Sequence, residues 1–386
     1  MTGGQAVRPR WACVVACALG LLASSAAAAA SGWMIQPTAS YRSGGSVAAD
    51  NLLEGVSCPT LTFCVAAGFF ADDDDAIAEM WDGTAWSAQQ LPVLAKATGS
   101  EFGQVSCSSA TACTAVGFYT NGDVDRNGGD IRLPLIERWD GTSWRRQTPP
   151  AAGPAALLDV TCPTDTDCLI VGGDGHGLLA ARWDGTRWSR AHLSTSAADR
   201  RPDAGLVSLS CASRSFCAAI GFAGANDLFA RWNGTRWSLQ TLPEPRGGAL
   251  SAISCVSPRA CMAVGWGVHN RTLAELWNGS RWSILTTPTP AQGEGPPVAF
   301  PTGLGSVSCE TPTSCIAVGA SSGFDKDTSN VLVEAWDGAR WSLQSAPSPD
   351  DASELNDVSC TSTMACTAVG SDELPDNNAL AERYTP

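Results

Sequence analysis

The stretch "NGDVDRNGGD" sets Asp123, Asp125, Asn127 and Asp130 at close intervals around Gly128, and such runs of hard oxygen donors are what a calcium ion requires. The spacing fits neither the EF-hand nor the DxDxDGxxD pattern, and no glutamate stands at position twelve. Calcium is the one cofactor the sequence suggests, against the alternative of a solvated acidic tip. "DDDD" at 72–75 and the pair Asp325 and Asp327 carry the same two readings.

Four aromatics form a second candidate group. Phe69, Phe118, Phe222 and Trp266 each follow a glycine that ends an apolar run, so four repeats place a ring at one level. Flat rings with polar neighbours suit stacking against sugars, whereas the structural alternative is a plug between core elements. Catalytic signatures are missing. The histidines are His176, His192 and His269, and there is no Ser-His-Asp, nucleophile-elbow or phosphate-loop pattern. A net charge of −14 disfavours nucleic acid and anionic surfaces, while permitting cations and neutral glycans.

The cysteines reveal the frame that positions these residues. Of sixteen, Cys13 and Cys17 lie in "MTGGQAVRPRWACVVACALGLLASSAAAAAS", where Arg8 and Arg10 precede an apolar run and small residues. Residues 1–30 thus read as a secretory signal peptide, whose loss takes the charge from −14 to −16 by removing those two arginines. "VVAC" at Cys17 partly matches a lipoprotein anchor, but the apolar run before it is too short. No other apolar run is long enough to span a bilayer.

The remaining fourteen fall into pairs six positions apart: Cys58 and Cys64, Cys107 and Cys113, Cys162 and Cys168, Cys211 and Cys217, Cys255 and Cys261, Cys309 and Cys315, Cys360 and Cys366. An even count at repeated spacing in an exported chain reads as a disulfide framework. Zinc, the rival, would have no CxxC pair and only the three histidines to draw on. Each pair frames a short turn between two apolar runs. A hairpin there puts the cysteines opposite each other, and each small closed ring is worth at most roughly 2.4 kcal/mol.

A second unit follows each pair: "WDGTAW" from Trp81, then relatives at Trp139, Trp183, Trp232, Trp277 and Trp336, with Tyr384 in the seventh. Asp-Gly or Asn-Gly between apolar runs signals a tight hairpin whose two central residues need positive φ. Residues five apart across it share a face, so both tryptophans of a pair should meet one neighbouring blade. Glu79, Glu137, Glu275, Glu334 and Glu382 stand two positions before the first aromatic and share that face, with hydrogen bonding or ion pairing as their expected role.

Each repeat thus holds four short strand-like runs, as in "VSC", "CVAAG", "AIAEMW" and "WSAQQ", and no helical period competes. Seven repeats of four strands predict an all-β fold, a single seven-bladed β-propeller. The expected blades are 52–93, 103–148, 157–195, 205–243, 250–288, 304–347 and 354–386. "SGWMIQPT" near the N-terminus matches only the second half of a tryptophan unit, so residues 31–40 should supply the outer strand of blade seven and close the ring within 31–386.

The repeat "VSC…C.AVG…LAE.W[DN]GT.WS.Q..P" resembles that of secreted β-propeller proteins of high-GC Gram-positive bacteria, and more distantly kelch and Asp-box propellers. Arginine outnumbers lysine 22 to 2, which suits a GC-rich genome. The resemblance implies a propeller and an extracellular location, with no activity attached. The Asp-box pattern Ser-x-Asp-x-Gly-x-Thr-Trp is absent, so sialidase chemistry does not transfer.

Chain length varies in only two of the connections. Cys168 to Trp183 spans 15 positions but Cys113 to Trp139 spans 26, and Trp144 to Cys162 spans 18 but Trp282 to Cys309 spans 27. In an up-and-down blade these connections share one face of the disc, and recognition residues concentrate on such loops. The expected function is that of a monomeric, non-catalytic binding or scaffold protein for a carbohydrate or protein ligand. The alternative is a carbohydrate-active hydrolase or lyase with acidic residues near the axis.

Overall fold

Short apolar runs divided by turn residues leave no length for a helix, and among the described residues the regular elements are all strands. The computed structural model describes residues 32–39, 42–43, 46–47, 51–70, 75–125, 128–150, 153–193, 201, 203–224, 226–242, 248–288, 302–322, 328–349, 352–363, 365–372 and 378–385. The expected signal peptide with Cys17, and Asp72, Asp73, Asp74, Asn127, Asp325 and Asp327, lie outside them.

Seven four-stranded antiparallel sheets make a β-propeller. In blade one, Asn51–Thr60 pairs with Phe63–Phe70, which pairs with Ala76–Trp81, which pairs with Trp86–Ala88. Blade seven takes three strands from the C-terminal end, Ser353–Ser362, Ala365–Asp372 and Asn378–Thr385. Gly32–Gln36 supplies its fourth, with Trp33 opposite Tyr384. The inner strand of blade two begins at Gly99 rather than near 103, because Gly99 still finds a partner in Thr120.

Each cysteine pair is a disulfide within one hairpin, with Cα atoms 3.9–4.1 Å apart. The serine before the first cysteine has a task that spacing alone did not reveal. Ser57 Oγ accepts the N–H of Cys107 in the next blade, and Ser106, Ser210, Ser254, Ser308 and Ser359 repeat the bond at 2.9–3.1 Å. The bond from Ser359 reaches Cys58, so the chain of links crosses the closure. Thr161 stands at this position in blade three.

The tryptophans of a pair lie directly opposite each other with ring centroids 5.6–6.0 Å apart. Each pair packs on the preceding blade: Trp81 and Trp86 meet Val369 and Ala381, and Trp183 and Trp188 meet Val116 and Ile136. The turn between them asks less of its backbone than expected. Four residues loop out, with Asp82 N–H donating to the Ala85 carbonyl, and only Gly83 has a positive φ, of 98°. Asp82 Oδ1 caps the turn by accepting from Thr84 N, Thr84 Oγ1 and Ala85 N, which removes the need for a second left-handed residue.

The five glutamates are buried between blades, and their environment is poorer in partners than expected. Glu79 Oε2 accepts the Ala39 N–H and Glu334 Oε1 accepts the Thr272 hydroxyl, while among the described residues neither oxygen of Glu382 finds a donor. Burial is the main cause pushing their carboxyls up, to about 7 for Glu79, Glu137, Glu275 and Glu334 and about 8 for Glu382.

Candidate functional site

Every inner strand carries a β-bulge at one level, where the register skips a residue. The skipped residues are Glu54, Gly103, Leu158, Val207, Ser251, Gly305 and Asn356, and all seven line an axial cavity of about 300 Å³. A bulge inserts an unpaired residue and re-aims its side chain, which here is how each blade reaches the axis. A glycine inside the second strand is required beside it: a Cβ at Gly68 or Gly117 would collide with the carbonyl oxygen of Leu52 or Glu101.

Two aspartates hold the wall of this cavity together. Asp357 Oδ2 accepts the Val56 N–H at 2.7 Å, and Asp159 Oδ2 accepts the Leu209 N–H at 2.6 Å, each across a blade boundary. Burial raises both carboxyls, that of Asp159 to about 8. Glu54 lines the same cavity. Burial first, then the charges of Glu101, Glu354 and Asp357, push its carboxyl up to about 7. Glu54 and the three acids that act on it come from blades one, two and seven.

The aromatics singled out in the sequence lie on the face of the variable loops. Phe69 and Phe118 line one cavity of about 420 Å³ together with Ser100, Glu101, Asp130 and Arg132. Phe222, 40% exposed, lines a neighbouring cavity of about 530 Å³ with Asp125, Leu158 and Asp203, and Asp130 and Arg132 line both. Arg132 lies over the Phe118 ring, 4.2 Å from its centroid.

Trp266, 41% exposed, stands apart from these two cavities. Its hairpin turns through His269 and Asn270, both left-handed with φ of 60° and 57°. Asn270 fastens the turn to blade six by donating to Ser322 Oγ at 2.8 Å and accepting the Thr302 N–H. The strained turn is thus held by side-chain bonds, and the indole is presented on a braced support.

The acidic loop folds on itself. Val124 and Asp130 form a β-bridge, Asp125 Oδ1 accepts the Gly129 N–H, and Asp123 Oδ2 accepts from Asn121 Nδ2. Among the described residues, no three acidic, histidine or cysteine side chains converge as a cation site. No helix of the described residues is long and apolar enough to cross a membrane.

No protein-family model and no curated protein matches the sequence. Solved structures similar to the chain include "YCF48 bound to D1 peptide", 13% identical with a TM-score of 0.56 over 92% of this chain and 96% of that one. The RRP9 WD40 repeats are 14% identical with a TM-score of 0.59, over 92% and 98%. The GH74 xyloglucanase from Xanthomonas campestris is 14% identical with a TM-score of 0.56, over 91% of this chain but 55% of that one. At such identities the likeness establishes the fold alone: the chain is a seven-bladed, disulfide-stapled β-propeller.

Proposed function

We propose that this protein is an exported, non-catalytic recognition or scaffold propeller whose variable-loop face holds a carbohydrate or a cell-surface partner. The observation that carries the reading is the pair of cavities on that face, with Phe69, Phe118 and the 40% exposed Phe222 in their walls, since concave sites with apolar rings and a few polar groups are where ligands are held. Seven disulfides support an oxidising compartment.

Screening the purified protein against glycans and cell-wall fractions tests the reading. Trp266→Ala should weaken any glycan binding by about 1–3 kcal/mol, as loss of a stacking platform would. Ala85→Arg, in an exposed turn of the opposite face where other blades already carry arginine, should change nothing. Binding lost through the opposite face would reject this choice of surface.

A second reading, a carbohydrate-active hydrolase, has one observation in its favour. Glu54, with its carboxyl near neutrality, adjoins Glu101 and Glu354, and a raised acid beside other carboxylates is how glycosidases divide acid and base roles. Turnover of any chromogenic glycoside, abolished by Glu54→Gln, would replace the recognition reading.

No cofactor belongs to the proposed function. Chelation with EDTA should therefore leave the melting temperature unchanged. A drop that disappears in an Asp123→Ala, Asp125→Ala double variant would instead establish a calcium site.

A further inference from the structure

The two cavities beside Arg132 differ in chemistry from a sugar subsite, and any ligand assigned to them rests on the recognition reading. The larger is walled by Pro154, Ala155, Ala156, Leu158, Ala204 and Phe222. An apolar side chain gains from transfer onto such carbon, whereas a sugar's hydroxyls would find partners only at the charged rim of Asp125, Asp130, Arg132 and Asp203. In the smaller cavity, the Phe118 face that a pyranose would stack on is covered by the Arg132 guanidinium.

The charges complete the pattern. Glu101, Asp125, Asp130 and Asp203 line these cavities, against Arg132 as the one lining cation among the described residues. Asp203 is paired with Arg201, which softens its contribution. Exposed Asp130 borders both cavities, so a cation placed beside an apolar anchor meets it from either side. The whole chain, at −14, adds a long-range field of the same sign.

We propose that the groove from Phe69 past Arg132 to Phe222 binds an extended peptide segment carrying an apolar side chain flanked by lysine or arginine. The apolar side chain seats against Leu158 and Phe222. Its basic neighbours lie along Asp130 and Glu101, and acidic peptides are turned away by the same carboxylates.

The test presents the full mature protein to an array of short synthetic peptides in which a central Leu, Phe or Ser is flanked by Lys, Ser or Glu. Lys-flanked Leu and Phe peptides should be retained, with binding that weakens as salt is raised. Phe222→Ser and Asp130→Asn, both at exposed positions and checked for wild-type melting, should each lower affinity about tenfold. Ala85→Arg should not.

Preference for Glu-flanked peptides, binding indifferent to both substitutions, or retention of no peptide at all overturns the inference. Neutral oligosaccharide bound through Trp266 by a preparation that retains no peptide removes the peptide and leaves the recognition face standing. Peptide binding abolished only by changes on the opposite face removes both.

Discussion

Raising the pH from about 5 to about 8 should lower the melting temperature by roughly 10 °C, an unusual direction for a protein with so many carboxylates. The unfolded chain releases the protons of Glu79, Glu137, Glu275, Glu334 and Glu382 near the ordinary glutamate value of 4.5, whereas the folded chain holds them to about 7, and to about 8 for Glu382. Between those values the folded state binds more protons, so its stability is complete below 4.5 and is lost as pH rises through the folded pKa. Each site contributes at most about 3 kcal/mol, or about 5 kcal/mol for Glu382, and a third of that over the five sites gives about 6 kcal/mol.

Other charges facing these carboxyls modify the size of the effect without changing its sign. Arg146 opposes the shift at Glu137, and Asp227 reinforces it at Glu275. The Ala39 N–H and the Thr272 hydroxyl oppose it at Glu79 and Glu334. At the acid end, Asp140 and Asp184 are held down to about 2, chiefly by the Thr142 and Thr186 hydroxyls they accept from. Their contribution is present above the usual carboxylate range and fades as pH falls through about 2. The stability maximum should therefore lie in mild acid. Thermal melts across pH decide the matter, and Glu382→Gln, which cannot ionise, should remove its share of the slope. A flat profile would mean that these carboxyls keep their water.

Deleting Gly32–Gln36 should lower melting by more than about 10 °C and provoke self-association. Trp33, 5% exposed, packs on Val318 and Val333 of blade six, and its ring lies 5.7 Å from that of Tyr384. Without the strand, Asn378–Thr385 becomes a free sheet edge able to pair with another copy. Trp33→Ala isolates the packing part and should cost about 3–5 kcal/mol. Melting and light scattering read the two effects separately. Identical melting of the deletion variant would show that the ring does not depend on its N-terminal strand.

The fold was legible because the repeat wrote it seven times, and the fragment around Trp33 could be matched to the half-unit missing after Tyr384. Hairpin disulfides followed from the even count, the constant six-residue interval and the apolar runs on either side of each turn. The axial residues were not legible. The bulge that turns Glu54, Leu158 and Asn356 inward has no residue preference across the blades, so nothing in composition marks it. Glu54, Glu101 and Glu354 come together from three blades, Glu54 on the bulge itself and Glu101 and Glu354 each two residues before the bulge of its own blade. A search for acidic pairs within one repeat therefore passes over them. Loop-length variation was enough to put Phe69, Phe118 and Phe222 on the variable-loop face, but nothing in the sequence marks Arg132, which stacks on Phe118 and lines both cavities.

The shared seventh blade also imposes a schedule. Gly32–Gln36 is made before blade one, and its partner Asn378–Thr385 only after blade six. At roughly 5–20 residues per second, the first strand waits between about 17 and 70 seconds for the chain that completes its sheet. During that interval blades one to six each receive both cysteines of their own hairpin, six residues apart, so none of those bridges depends on the closing strand. Trp33 has no hydrophobic seat until Val318 and Val333 of blade six are made, so a chaperone that shields the early strand would act over most of that wait.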